Sequence, residues 1–297
     1  MRARLLILAN SLLLTFVGAS SPAWATVARA RAATPAHASR VRRAARPRPP
    51  STSLGYANGG RLQNAARLES DETIRLMPGR HLHYGTDEMV GLIRRAGRIL
   101  LRRHRVALSV GDVSRASGGP ALHHASHQSG RDADLSFFVV DAHGRSVQLN
   151  DYVGFGRGGR AIAGGEMRFD TRRNWALVDA LLTDPAAHVE HIFVSNALRA
   201  LLLEHARAIH ADANVIARAA EAMHQPQGAS AHANHFHVRI GCPSGDAGCL
   251  EGVRVPPRRR RHARALARNE PRERHGRHAT ERAHAAERPR AQRAPPR

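Results

Sequence analysis

Alternation of polar and apolar positions is clearest late in the chain. His232-Ala233-Asn234-His235-Phe236-His237-Val238-Arg239-Ile240, read with period two, sends His235, His237 and Arg239 to one face and Phe236, Val238 and Ile240 to the other. This is the pattern of a half-buried strand with two imidazoles on its polar side. Upstream, Met89, Ile93, Ala96 and Leu100 repeat at helical spacing behind Thr86 as N-cap, with Asp87 and Glu88 in the first turn, which predicts a helix to about His104. Val106, Leu108 and Val110 alternate as a strand, and a polar, Gly-containing loop runs from Ser114 to Gly130. A second strand is expected over 131–140, with a turn at Asp141-Ala142-His143-Gly144 and Asp134 near the strand's start.

Trp175, Val178, Leu181 and Leu182 mark a helix from Asp170 that Asp184-Pro185 ends. Val189 to Val194 reads as a short strand; Leu198, Leu201, Leu202, His205 and Ile209 as a helix; Val215, Ile216, Ala219 and Met223 as another. His205 is expected to be a packed or half-exposed helix residue. Residues 54–84, rich in turn formers and without clear period, predict irregular wrapping structure, and the Gly-rich stretch 154–165 could border a cleft. Without regular strand–helix alternation, the pattern predicts an α+β fold: a single domain over 54–256 with a small antiparallel sheet flanked by helices.

Composition limits the ends. Arg2 and Arg4, an apolar run from Leu5 to Ala19 and Ala23-Trp24-Ala25 describe a secretory signal peptide over 1–25. The run is interrupted by Asn10 and Ser11 and is too short for a membrane anchor. Residues 26–53 and 257–297, built of Arg, Ala and Pro with few or no carboxylates, read as a disordered linker and tail. They carry most of the net charge of +22: seven Arg in the linker and 14 Arg against 4 Glu in the tail, which with Arg2 and Arg4 leave +3 for 54–256. A basic chain suggests nucleic acid, but here the charge sits outside the folded part, so no nucleic acid is expected. The tails are either solvated ends or loose electrostatic contacts for anionic envelope polymers. Two cysteines, Cys242 and Cys249, lie just after the late strand, and in an exported chain they predict a disulfide. A zinc ribbon would need a second pair.

Histidine supplies the candidate chemistry. With 20 His in the chain, one His-x-His means little, and His81-Leu82-His83 has no site-like context. Two stretches together are richer: His124-x-x-His127-x6-Asp134 and His232-x-x-His235-x-His237. A hydrolytic zinc site takes three His or carboxylate ligands and leaves one position open, and these stretches can supply it.

The pairing of His127 and Asp134 with a late His-x-His resembles the metallopeptidase group of lysostaphin-like enzymes and D-alanyl-D-alanine peptidases. Ser126-His127-Gln128-x-Gly130-x-Asp132-x-Asp134, His235-Phe236-His237-Val238-Arg239 and Cys242-Pro243 resemble the penicillin-insensitive murein endopeptidase family within it, with weaker support from Asn58-Gly59 and His191-Ile192-Phe193-Val194. The resemblance covers about residues 53 to 252. It implies one zinc per chain on His127, Asp134 and His237, His235 beside it as general base, and His124 and His232 as helpers. It implies peptidoglycan as substrate, cut at a D-alanyl bond to a diamino acid, in the periplasm or outside the cell. No Asp or Glu lies between His224 and Gly241, which sets the chain apart from the carboxypeptidase branch and its carboxylate base. Where the endopeptidases tend to carry acidic residues between the two histidines, this chain has Ala233 and Asn234. Asp132 either replaces that carboxylate or serves only the turn. A non-catalytic cell-wall or metal-binding module on the same scaffold is the alternative.

Overall fold

The structure is a computed structural model, and it describes residues 48–227, 230–252 and 254. The expected signal segment, most of the linker and the C-terminal tail lie outside those residues. In chain order the elements are β1 (Thr52–Tyr56), β2 (Gly59–Gln63), β3 (Ala66–Arg67), β4 (Ile74–Leu76), β5 (Tyr84–Gly85), α1 (Asp87–His104), β6 (Leu108–Val110), β7 (Asp132–Ser136), β8 (Val139–Val140), β9 (Ser146–Val147), β10 (Arg168–Phe169), α2 (Thr171–Leu182), β11 (Val189–Phe193), α3 (Asn196–Ala208), α4 (Ala213–Ala222), β12 (Met223–His224) and β13 (His235–Ile240).

The expected α+β architecture is present, built on a six-stranded sheet ordered β12-β11-β13-β7-β6-β4. Its middle is antiparallel, while the outer pairs β4–β6 and β11–β12 are parallel. Parallel neighbours need a long crossover, and α1 supplies one while α3 and α4 supply the other. One face of the sheet is apolar. Phe236, Val238 and Ile240 of β13 and Ala133 and Leu135 of β7 are buried in one core cluster with Met89, Ile93, Ala96 and Leu100 of α1 and Trp175, Val178 and Leu181 of α2. The helical spacing in the sequence thus marks the surfaces that cover this face. Thr86 caps α1 by accepting from the Met89 N–H, and Asp170 caps α2 by accepting from the Arg173 N–H.

Residues 54–84 depart in part from expectation: short strands alternate there with irregular stretches. β1 and β2 form a hairpin with Tyr56 opposite Gly59, and β4 is the far edge of the main sheet. Glycines hide the hairpin's period because the backbone is crowded there. A Cβ on Gly60 would lie 2.3 Å from the Leu54 carbonyl oxygen and 2.5 Å from that of Tyr56. The hairpin supports the 114–130 loop, for the Leu62 N–H donates to the Ser117 carbonyl and the Gln128 N–H to the Ala57 carbonyl, both at 3.1 Å. Among the described residues no helix is long and apolar enough to cross a membrane.

Candidate active site

Register builds the site on the sheet's other face. In β13 and β7, His237 lies opposite Asp134 and Arg239 opposite Asp132; on β11, Phe193 faces His237 and His191 faces Arg239. Side chains alternate along each strand, so these two rows project to the same side, away from the Phe236 and Val238 core. The 114–130 loop then lays His124 and His127 over the row, and His232 enters just before β13. The expected disulfide is formed, Cys242 to Cys249.

All six histidine and aspartate candidates meet here. The Asp134 carboxylate oxygen Oδ1 lies 3.3 Å from His127 Nε2, 3.4 Å from His235 Nε2 and 3.2 Å from His237 Nδ1. His124 Nδ1 is 3.8 Å from Asp134 Oδ2. Asp134 and His127 are almost wholly buried, yet Asp134 Oδ1 and His127 Nε2 have no hydrogen-bond partner. Buried polar atoms without partners are costly, and nitrogen and oxygen donors converging on one point fit a metal ion. The separations agree: donors about 2.0–2.1 Å from a tetrahedral zinc lie about 3.3–3.4 Å apart.

The far nitrogens of the imidazoles are fixed by neighbours. His127 Nδ1–H donates to the Val113 carbonyl at 2.6 Å and His237 Nε2–H to Asp132 Oδ1 at 2.8 Å, which turns His127 Nε2 and His237 Nδ1 toward Asp134. His235 Nδ1–H donates to Asn234 Oδ1 at 2.7 Å and turns Nε2 inward. His124 Nε2–H donates to Asp112 at 3.2 Å, and His232 Nδ1–H to the Ser230 carbonyl at 2.9 Å. His123, His127 and His232 all take positive φ (65°, 64° and 49°), a backbone region costly for residues other than glycine and one that gathers at functional sites.

Electrostatics follow burial and pairing. For Asp132, burial opposes ionisation, but Arg239 and the His237 hydrogen bond outweigh it and hold the carboxyl well below its ordinary range. Asp134 is likewise held down against its burial, by His127 and His235. His237 is pushed up to about 9: burial would lower it, but Asp132 and Asp134 prevail. Burial, helped by His237 and His235, pushes His232 down to about 4, so it is neutral at neutral pH.

The cleft above this floor has a volume of about 650 Å³ and is walled by Asn58, Arg80, Tyr152, Phe193 and Arg239 beside the histidines. Tyr152 stacks on His235 with ring centroids 4.6 Å apart, and the Arg80 guanidinium carbon lies 4.7 Å from the Tyr152 ring centroid. Sequence reasoning gave no role to Tyr152, Asp112 or Arg80, whose partners lie far along the chain. The Gly-rich stretch 154–165 is absent from the cleft lining; it touches the site's backbone through the Phe155 N–H, which donates to the Ala233 carbonyl at 2.7 Å. His81, His83 and His205 also stay out of the lining. Asp132 is no turn residue: it is wholly buried and bonds His237, Arg239 and the His127 N–H.

A buried His/Asp donor set with unpaired atoms aimed at one point, open to a cleft on one side, could hold a metal ion beside a bound substrate. The comparisons narrow the class. The chain belongs to the penicillin-insensitive murein endopeptidase family, whose model matches residues 53–294. It is 27% identical over 209 residues to the penicillin-insensitive murein endopeptidase of Haemophilus influenzae (strain ATCC 51907 / DSM 11121 / KW20 / Rd), a match covering 68% of this chain and 67% of that one.

Proposed function

We propose that the protein is a zinc-dependent endopeptidase that hydrolyses peptide cross-links of peptidoglycan, at the D-alanyl bond to the diamino acid of the neighbouring stem. The convergence of His127, His235 and His237 nitrogens on the buried, unpaired Asp134 Oδ1 carries this reading. His127 Nε2, Asp134 and His237 Nδ1 would hold one zinc ion. Bound there, zinc supplies Lewis acidity, lowering the pKa of a water from 15.7 towards about 7.

The chain's own residues do the rest. His235, held by Asn234 as the Nδ1–H tautomer and flanked by Tyr152, presents a free Nε2 that takes a proton from the attacking water and returns it to the departing amine as the C–N bond breaks. A neutral amide thus does the orienting where the family tends to place acidic residues. Neutral His232, its Nδ1–H donated to Ser230, offers Nε2 as an acceptor, which suits orienting the water or the departing amine. His124 is held by Asp112 at the edge of the Asp134 carboxylate, where it walls the reacting centre. No serine nucleophile takes part, so penicillin has nothing to acylate.

The segment over 1–25 supports export to the periplasm or beyond, where the substrate lies. A purified cross-linked muropeptide dimer tests the proposal: the protein releases monomers, does so with penicillin present, and stops when the metal is chelated. Tight binding of zinc with intact dimers would instead support a non-catalytic cell-wall module.

A further inference from the structure

The cleft's two arginines differ in what they have left to bind. Arg80 uses both terminal nitrogens within the protein, NH1 on Asp112 at 3.2 Å and NH2 on Asp151 at 2.9 Å. Arg239 makes one hydrogen bond among the described residues, Nε–H to Asp132 Oδ1 at 2.7 Å. Its two terminal nitrogens have no hydrogen-bond partner among the described residues, although the residue is only 6% exposed and lines the cleft.

A guanidinium carries five N–H donors in a rigid fork, and leaving most of them unmatched in a recess is unfavourable unless an anion or water meets them. The group is also held in place. Asp132 grips Nε, and the guanidinium carbon sits 5.5 Å from the Phe193 ring centroid. The Nε edge is paired with Asp132, and the residue lines the cleft. Arg239 follows His237 by two residues on one strand face, so its Cα is about 6–7 Å further along the floor.

We infer that Arg239 receives a substrate carboxylate, the free one on the carbon bearing the nitrogen that hydrolysis releases. The inference rests on the proposed endopeptidase reading. When the second amine of a diaminopimelyl residue forms the cross-link, the carboxylate on that same carbon stays free, next to the scissile amide. Two parallel N–H···O bonds from the Arg239 terminal nitrogens would hold it and set the amide over Asp134 and His237. Arg239 is then a specificity residue, reading a charge adjacent to the bond that is cut.

The test compares two cross-linked dimers, one with that carboxylate free and one with it amidated, and follows kcat and KM separately. In the wild type, amidation is expected to raise KM by tenfold or more, about the worth of one charge-assisted pair. In Arg239→Gln, which keeps an N–H for Asp132, the two dimers are expected to be cleaved alike. Arg239→Lys should keep part of the preference. Equal KM for the two dimers in the wild type overturns the inference without needing any variant, and so does full discrimination by Arg239→Gln at normal zinc content. A wild type that cleaves neither dimer fails the proposed function itself; one that cleaves both equally fails only the carboxylate assignment.

Discussion

Asp132 shows how much of this site depends on a residue that reaches no substrate. Its Oδ1 accepts from both His237 Nε2 and Arg239 Nε, and its Oδ2 from the His127 N–H. Asp132→Asn would leave His237 free to take the wrong tautomer, and zinc affinity should fall by about 10- to 100-fold in a metal titration. Gly111 gives a second test. A Cβ there would lie 1.8 Å from the Tyr152 hydroxyl, so Gly111→Ala is expected to shift the ring that stacks on His235. Turnover should drop by about 100-fold, the cost of displacing a catalytic group by an ångström, with zinc content unchanged; full activity would show that the Tyr152 stack is idle. The pair of histidine stretches was legible because each motif is short and local. Asp112, Tyr152 and the free edge of Arg239 were not, because their meaning comes from contacts between distant segments.

At the level of elements, alternation in β13 foretold both faces of the strand, and the helical repeats foretold the covering helices. The β1–β2 hairpin and the three-residue β4 were missed, since glycines and short length leave no period to read. Asp184 follows α2 and joins it to α1. One oxygen accepts from the Ala186 and Ala187 N–H groups, and the carboxylate pairs with Arg95 at 2.7 and 2.9 Å. Asp184→Ala should cost about 2 kcal/mol in urea unfolding, short of the full value for a buried pair because Arg95 is partly exposed. Burial opposes the Asp184 charge, but Arg95 and the two N–H groups hold its pKa below the ordinary value. Its stabilisation is therefore present above the usual carboxylate pKa and lost as pH falls through the depressed one. The stability gap between wild type and Asp184→Asn should shrink across that acid range; a gap independent of pH would contradict the assignment.

Across the whole molecule, the segment after β13 is tied back to the fold. Buried Arg131 donates to the Ile240 and Leu250 carbonyls and to Glu251, and the Gly55 N–H meets the Gly248 carbonyl at 2.7 Å. The Cys242–Cys249 bridge closes a short loop within this segment. Replacing both cysteines by Ser should lower stability by about 2.5 kcal/mol in the chain-entropy account, seen as a lower urea midpoint with zinc content retained. Metal binding carries its own pH signature. His237, pushed up to about 9 by Asp132 and Asp134 despite its burial, is protonated at neutral pH in the metal-free protein. Zinc requires it neutral, so binding should release a proton and weaken steadily as pH falls below about 9. Calorimetry in buffers of different ionisation enthalpy reads that proton.

If one zinc held by His127, Asp134 and His237 makes this cleft a cross-link hydrolase, bound metal and cleavage must rise and fall together. The most direct test measures bound zinc and muropeptide-dimer cleavage on the same samples of wild type and His237→Ala. One zinc per chain and monomer release are expected in the wild type, loss of both in His237→Ala, and recovery of chelated wild type on adding zinc. Dimer cleavage that persists in zinc-free protein, or in His237→Ala, would contradict that coupling.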